Sequence, residues 1–244
     1  MAAGKGTRMK SDLPKVVHPV GDRPMVCAVV DACLAAGCDR IVVIVGYKQE
    51  LVREALTGYD AVEYVVQDEQ LGTGHAVQCA RSAFEPAFEG DCFVLAGDGP
   101  LIRAETLDTL LARHREAGAG ASLATSVIAD PTGYGRIVRD ASGTFAAIVE
   151  QKNASPEQLE IREVNPSYYC FRTRDLFRAL ERVERNELTG EYYVTDAPSL
   201  LMDEGQRVEV IDAVPPEDVL SINTLEQLAD VDRVFRQRQQ GAGA

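Results

Sequence analysis

Metal-clip and redox signatures are missing from this chain of 244 residues. Its six cysteines (Cys27, Cys33, Cys38, Cys79, Cys92 and Cys170) form no Cys-x-x-Cys, and its only histidines are His18, His75 and His114. That spacing disfavours a zinc site or a disulfide framework and suits reduced thiols. No apolar run approaches the roughly 20 residues that a membrane helix needs. No secretory leader is visible, because the first residues are polar and glycine-rich, which fits a cytoplasmic protein. Internal repeats are absent. Positive charge is scarce: 25 Lys and Arg face 38 Asp and Glu, a net charge of −13. Such a balance argues against nucleic acid and anionic membranes as partners. A 45% hydrophobic content is enough to fill the core of one large α/β domain or two small ones.

One stretch nevertheless carries a local excess of cations. Within Met1–Lys15, Lys5, Arg8, Lys10 and Lys15 oppose only Asp12, a local charge of +3. Ala2, Ala3, Gly4 and Gly6 are small enough to let a backbone approach a ligand closely. Exposed N–H groups beside local positive charge suit phosphates. Pro14 fixes φ just before Lys15 and limits where that side chain points. The stretch lacks the third glycine of the dinucleotide fingerprint and the Gly-x4-Gly-Lys-Ser/Thr phosphate loop. A basic tail is the alternative reading.

Hydrophobic periodicity organises the rest. Helices are expected at Arg23–Ala36, Lys48–Leu56, Gly74–Phe84 and Ala104–Ala117, with buried strands at Arg40–Val45, Val62–Val66 and Cys92–Ala96. This alternation implies an α/β fold with a mostly parallel, mixed sheet and helices on both faces. From Ala121 the character shifts. Strands are expected at Ser122–Val127, Gly135–Arg139, Phe145–Val149, Val164–Phe171 and Val208–Val214. Helices are expected at Asp175–Val183, from Thr195-Asp196 as cap through Met202, and at Thr224–Arg238, where Thr224 and Gln227 are spaced as a capping box. A single domain over 1–244 is expected, in two halves at 1–120 and 121–238 with a frayed tail at 239–244.

Ligands in such folds collect at the carboxyl ends of strands. Gln67 stands at one and offers both a donor and an acceptor, as reading a pyrimidine edge requires. Gly72 and Thr73 follow where a helix begins, and Thr73 could equally be its cap. Asp98, after another strand, suits a hard cation that also takes phosphate oxygens, or else caps a turn before Pro100. Asp130-Pro-Thr-Gly-Tyr-Gly-Arg-Ile137 has two glycines for close backbone approach, or is a hairpin turn. Glu150 is a strand-end carboxylate. Asn223, before the last helix, is a natural cap.

Four strings together resemble one family in order and spacing. They are Ala2-Ala-Gly-Lys-Gly-Thr-Arg-Met9 with Leu13-Pro-Lys15, Gln67 to Ala76, Gly97-Asp-Gly-Pro-Leu101, and Asp130 to Ile137. They resemble the sugar-nucleotide pyrophosphorylases, most of all the N-terminal uridylyltransferase domain of GlmU enzymes. The resemblance implies the nucleotide-diphospho-sugar transferase fold, Rossmann-like. It implies UTP and N-acetylglucosamine 1-phosphate as substrates and Mg²⁺ as cofactor. Arg8 and Lys15 are then the catalytic phosphate-binding cations, and Ala2, Ala3 and Gly4 wrap the nucleotide. Gln67, Gly72 and Thr73 contact uracil. Gly135, Glu150 and Asn165 contact the sugar, and Asp98 with Asn223 holds the metal.

The resemblance spans nearly the whole chain but only the family's first half; nothing here resembles the hexapeptide repeats of its β-helix domain. The family also has a short apolar strand before the glycine loop, expected upstream of Met1, and a monomer or weak homo-oligomer is expected. Departures stand at Ala96, Gly99 and Pro166-Ser167, so a different sugar or base is the alternative substrate. A binding module without turnover is the alternative class.

Overall fold

The protein is described by a computed structural model over residues 1–85, 87–220 and 222–242. In chain order its elements are β1 (Pro19–Val20), β2 (Arg23–Pro24), α1 (Met25–Ala35), β3 (Ile41–Val45), α2 (Gln49–Ala55), β4 (Val62–Val66), α3 (Thr73–Cys79) and β5 (Asp91–Leu95). There follow α4 (Ala104–Ala117), β6 (Ala121–Val127), β7 (Gly135–Arg139), β8 (Phe145–Val149), α5 (Pro156–Leu159), β9 (Glu163–Arg172), α6 (Thr173–Leu180), α7 (Ala197–Asp203), β10 (Val208–Asp212) and α8 (Leu225–Ala242). The chain packs as two units. The first takes Met1–Gln70, Ala96–Leu107 and the chain from Glu217; the second takes Leu71–Leu95 and Asp108–Pro216. The units therefore interleave along the sequence instead of dividing near residue 120.

In the first unit β3 and β4 pair in parallel, Ile41 opposite Val62 through Val45 opposite Val66. Met1–Ala3 lies alongside. Ala2 donates its N–H to the Ile44 carbonyl at 2.8 Å, Tyr47 N–H reaches the Ala3 carbonyl at 3.0 Å, and Gly97 N–H reaches the Met1 carbonyl at 2.9 Å. Val26, Cys27 and Val30 of α1, Val52 of α2 and Val43 and Val45 of β3 share one buried cluster with Ala2 and Val16. Burying each such aliphatic side chain contributes about 1.5–3 kcal/mol. The expected helix from Arg23 begins two residues later, because Arg23 and Pro24 pair with Val20 and Pro19 as a short antiparallel ribbon.

The second unit is built on β9. β6 runs antiparallel along one edge, with a bulge between Ala124 and Ser126, and β10 extends β6 in parallel. Along the other edge β7 meets Val164 and Asn165, and β5 meets Tyr168 through Arg172. The partner changes across Pro166-Ser167, where a missing N–H interrupts no ladder. Ser167 sits there in the left-handed region at φ 66°. The α/β class is as expected, and the sheet is mixed, with the antiparallel ladders concentrated on β9.

Three local expectations change. Thr195 and Asp196 form a 3₁₀ turn and make no side-chain cap for α7, whose start carries Pro198. Thr224 does cap α8, its Oγ1 accepting Gln227 N–H at 3.2 Å, but the Gln227 side chain returns to Asn223 N–H at 2.7 Å. α8 continues through Ala242, beyond the expected fraying at 239, since its Gln and Arg residues are good helix formers. Residues 243 and 244 of that expected tail, and Ser221 of the Leu220–Thr224 string, lie outside the described residues.

Candidate functional site

The expected site residues fall into two groups, one in each unit. In the first unit the glycine loop turns sharply at Gly6, whose φ of 68° favours glycine. A Cβ there would stand 2.7 Å from Lys15 Cβ, so the turn and Lys15 are packed together. Ala2 and Ala3 are buried beside β3, while Gly4 is exposed and a Cβ on it would meet nothing within 4 Å. Arg8 is exposed on the 3₁₀ turn Thr7–Met9. Lys5 and Lys48 both stand over the Tyr47 ring, at 5.2 and 5.6 Å from its centroid.

Pro14, with φ −54°, leads into the 3₁₀ turn Lys15–Val17. From it Lys15 Nζ reaches Asp98 Oδ2 at 2.5 Å, in a partly buried ion pair. Gln67 is 3% exposed at the end of β4, its N–H held by the Val45 carbonyl at 2.8 Å. Asn223 immediately precedes Thr224, the α8 cap. One buried cluster gathers Met9, Leu101 and Ile222. Met9 and Ile222 are the neighbours of Arg8 and Asn223 along the chain, and Leu101 lies three residues past Asp98. Three segments distant in sequence thus share a single anchorage.

The donor set can be tested for a hard cation. Asp98 offers one carboxylate with Oδ2 engaged by Lys15, and Asn223 offers one neutral amide. Groups of three or more His, Cys, Asp or Glu side chains able to hold an ion do not occur among the described residues. A set of one or two protein oxygens fits Mg²⁺, which keeps waters and takes phosphate oxygens, and does not fit zinc or a caged Ca²⁺.

In the second unit Gly72 adopts φ 107°, and a Cβ there would stand 2.5 Å from the Tyr192 carbonyl oxygen. The turn is pinned: Tyr192 N–H donates to the Leu71 carbonyl and Gly74 N–H to the Tyr192 carbonyl, both at 2.8 Å. Thr73 Oγ1 accepts Val194 N–H at 3.1 Å, so its lone pair is in structural use while its hydroxyl proton stays available. Glu150 follows β8 and accepts from Thr195 Oγ1 at 3.3 Å. Thr73 and Glu150 therefore converge on one short 3₁₀ turn. Burial pushes the Glu150 carboxyl above the usual range; Thr195 draws it back, and the charges of Asp196 and Glu191 push it further up. Burial raises Asp196 as well.

Gly135 and Asn165 are direct partners in the β7–β9 ladder. Asn165 is 5% exposed; its Nδ2 donates to Tyr169 Oη at 2.6 Å and its Oδ1 accepts Ser167 N–H at 3.1 Å. The amide orientation is thereby fixed, with one N–H and one Oδ1 lone pair outside these two bonds. Sequence reasoning named Gly135, Glu150 and Asn165 but missed Tyr169, which orients Asn165. Tyr169 reads as one apolar position of a buried strand, and nothing in that pattern marks its hydroxyl.

The chain matches the family described as MobA-like NTP transferase domain over residues 1–195. It is 44% identical over 238 residues to the bifunctional protein GlmU of Desulfotalea psychrophila, covering 98% of this chain and 70% of that protein. Against the GlmU of Brevibacillus brevis it is 46% identical, covering 98% of this chain and 51% of the relative. Against that of Geobacter metallireducens the figures are 43%, 98% and 50%. The chain thus spans about half the length of most of these relatives. Crystal structures of a UDP-glucose pyrophosphorylase, without ligand and complexed with UDP-glucose, share the fold. Their TM-scores are 0.76 and 0.75 at 18% identity; 98% and 97% of this chain is covered, and 97% of each neighbour.

Proposed function

This chain belongs to the MobA-like NTP transferase family, and from that premise we propose that it joins UTP to N-acetylglucosamine 1-phosphate, releasing pyrophosphate in a Mg²⁺-dependent reaction. The observation that carries the reading is the contact of Lys15 Nζ with Asp98 at 2.5 Å, which puts a phosphate-seeking cation against a metal-seeking carboxylate. Similarity to GlmU proteins supports uridine and N-acetylglucosamine as the moieties joined.

An oxygen of the sugar phosphate attacks the α-phosphorus of UTP. A phosphorus–oxygen bond forms there as the bond to the β-phosphate oxygen breaks, and that electron pair leaves with pyrophosphate. The attacking phosphate is already ionised near neutral pH, so no strong general base is needed. Catalysis is alignment with charge neutralisation. Arg8 and Lys15 stabilise the departing pyrophosphate. Ala2, Ala3 and Gly4 let the backbone close on the nucleotide, and Gln67, Gly72 and Thr73 hold uracil. Gly135, Glu150 and Asn165 bind the sugar. Asp98 and Asn223 would hold Mg²⁺, which supplies charge neutralisation on the phosphates when bound.

The test is a screen of nucleoside triphosphates against several sugar 1-phosphates, reading pyrophosphate release. UTP with N-acetylglucosamine 1-phosphate is expected to lead, and Asp98→Ala to abolish most turnover at saturating UTP. Undiminished release in that variant removes the metal assignment. Binding of UDP-sugar with no release by the unaltered protein points instead to a module without turnover. A second substrate reading is favoured by Pro166 and Ser167. Ser167 N–H occupies one lone pair of Asn165 Oδ1 and Pro166 supplies no N–H, so the sugar meets a different set of donors and acceptors here, which would select a different substituent.

A further inference from the structure

The first unit contains a buried carboxylate that the reaction does not use. Asp218 is 3% exposed. Arg103 grips it twice, Nε to Oδ2 at 2.5 Å and Nη2 to Oδ1 at 2.9 Å. Arg238 of α8 donates Nη2 to the same carboxylate and Nη1 to the Leu101 carbonyl at 3.0 Å. Glu217 takes a weaker contact from Arg103 at 3.3 Å.

The positions of these residues matter more than their number. Leu101 and Arg103 lie three and five residues past Asp98. Asp218 lies five residues before Asn223, and Arg238 belongs to the helix that begins beside Asn223. The cluster therefore ties the Asp98 segment to the Asn223 segment through polar contacts, where Leu101 and Ile222 already tie them through apolar ones. A desolvated ion pair adds little net stability over apolar residues of similar volume. What it does supply is a defined direction, because two-pronged arginine–carboxylate contacts fix angle as well as distance. Metal ligands need such direction: groups hydrogen-bonded to them typically control affinity by about 10–100-fold, and this cluster acts one step further back, through the segments that carry Asp98 and Asn223.

We propose that Asp218, Arg103 and Arg238 are positioning residues that hold Asp98 and Asn223 in register for one divalent cation on the bound nucleotide. The proposal rests on the nucleotidyltransferase reading above. It is tested with Arg238→Gln and Arg103→Gln, each checked for a native circular dichroism spectrum. Mn²⁺ binding is measured by electron paramagnetic resonance with a non-hydrolysable UTP analogue, beside uridine affinity by calorimetry. Metal affinity is expected to fall about tenfold or more with uridine affinity unchanged, and kcat to recover at high Mg²⁺. Arg103→Lys keeps the charge but not the double grip, and is expected to fall between. Should Arg238→Gln unfold, the half-exposed Arg103 variants carry the test.

Wild-type metal affinity in folded variants, or an equal loss of uridine affinity, overturns the proposal while leaving the function standing. Absence of Mn²⁺ uptake by the unaltered protein, or uptake indifferent to Asp98→Ala, overturns the function and this inference with it.

Discussion

Two glycines on the candidate site have different reasons for being glycine, and substitution separates them. Gly72 is held at φ 107° against Tyr192. Gly72→Ala should cost about 1–3 kcal/mol in urea unfolding. Gly4 has open space around it, so Gly4→Ala should stay within about 0.5 kcal/mol of wild type in stability. If a nucleotide uses that space, the KM for UTP should rise about fivefold, the size of one lost hydrogen bond. Glu150 carries a signed pH effect. Its folded carboxyl titrates above the unfolded value, so the native state takes up its proton first on acidification. The ionised group therefore costs stability, in full above the folded pKa, and the cost vanishes below the unfolded value of about 4.3. Glu150→Gln should raise the urea midpoint at pH 7, lose that advantage towards pH 4, and weaken sugar phosphate binding throughout.

Element assignments were largely legible, and the exceptions are instructive. The β-branched run Ile41–Val45 and the turn-bounded strands from Ala121 onward read correctly because burial on one or two faces leaves a simple periodic trace. Thr195 misled because its hydroxyl is drawn to Glu150, forty-five positions earlier, instead of capping the helix it precedes. β9 is the element on which the second unit depends. Phe171 is fully buried there, opposite Cys92 on one side and Ala121 on the other. Phe171→Ala should cost about 3–5 kcal/mol, a large part of the roughly 5–15 kcal/mol a domain has; the loss should appear as a lowered denaturation midpoint with an unchanged slope.

At the scale of the whole molecule, a chain of charge −13 binds a polyanion only where cations are gathered. UTP affinity should therefore fall as salt rises from about 50 to 200 mM, while uridine affinity stays nearly flat, since screening acts over about 8–10 Å. Arg8→Gln should flatten that salt slope in a calorimetric series. The sequence by itself determined the α/β class, the order of the longer elements and the cationic loop, because these follow from local periodicity and from motif strings. Only the tertiary structure decided that Lys15 reaches Asp98, that Tyr169 turns the Asn165 amide, and that Met9, Leu101 and Ile222 meet. The first and last join side chains far apart along the chain, a meeting set by packing that leaves no mark on either segment alone; Asn165 and Tyr169 are four positions apart, but the apolar pattern of their strand does not mark the hydroxyl.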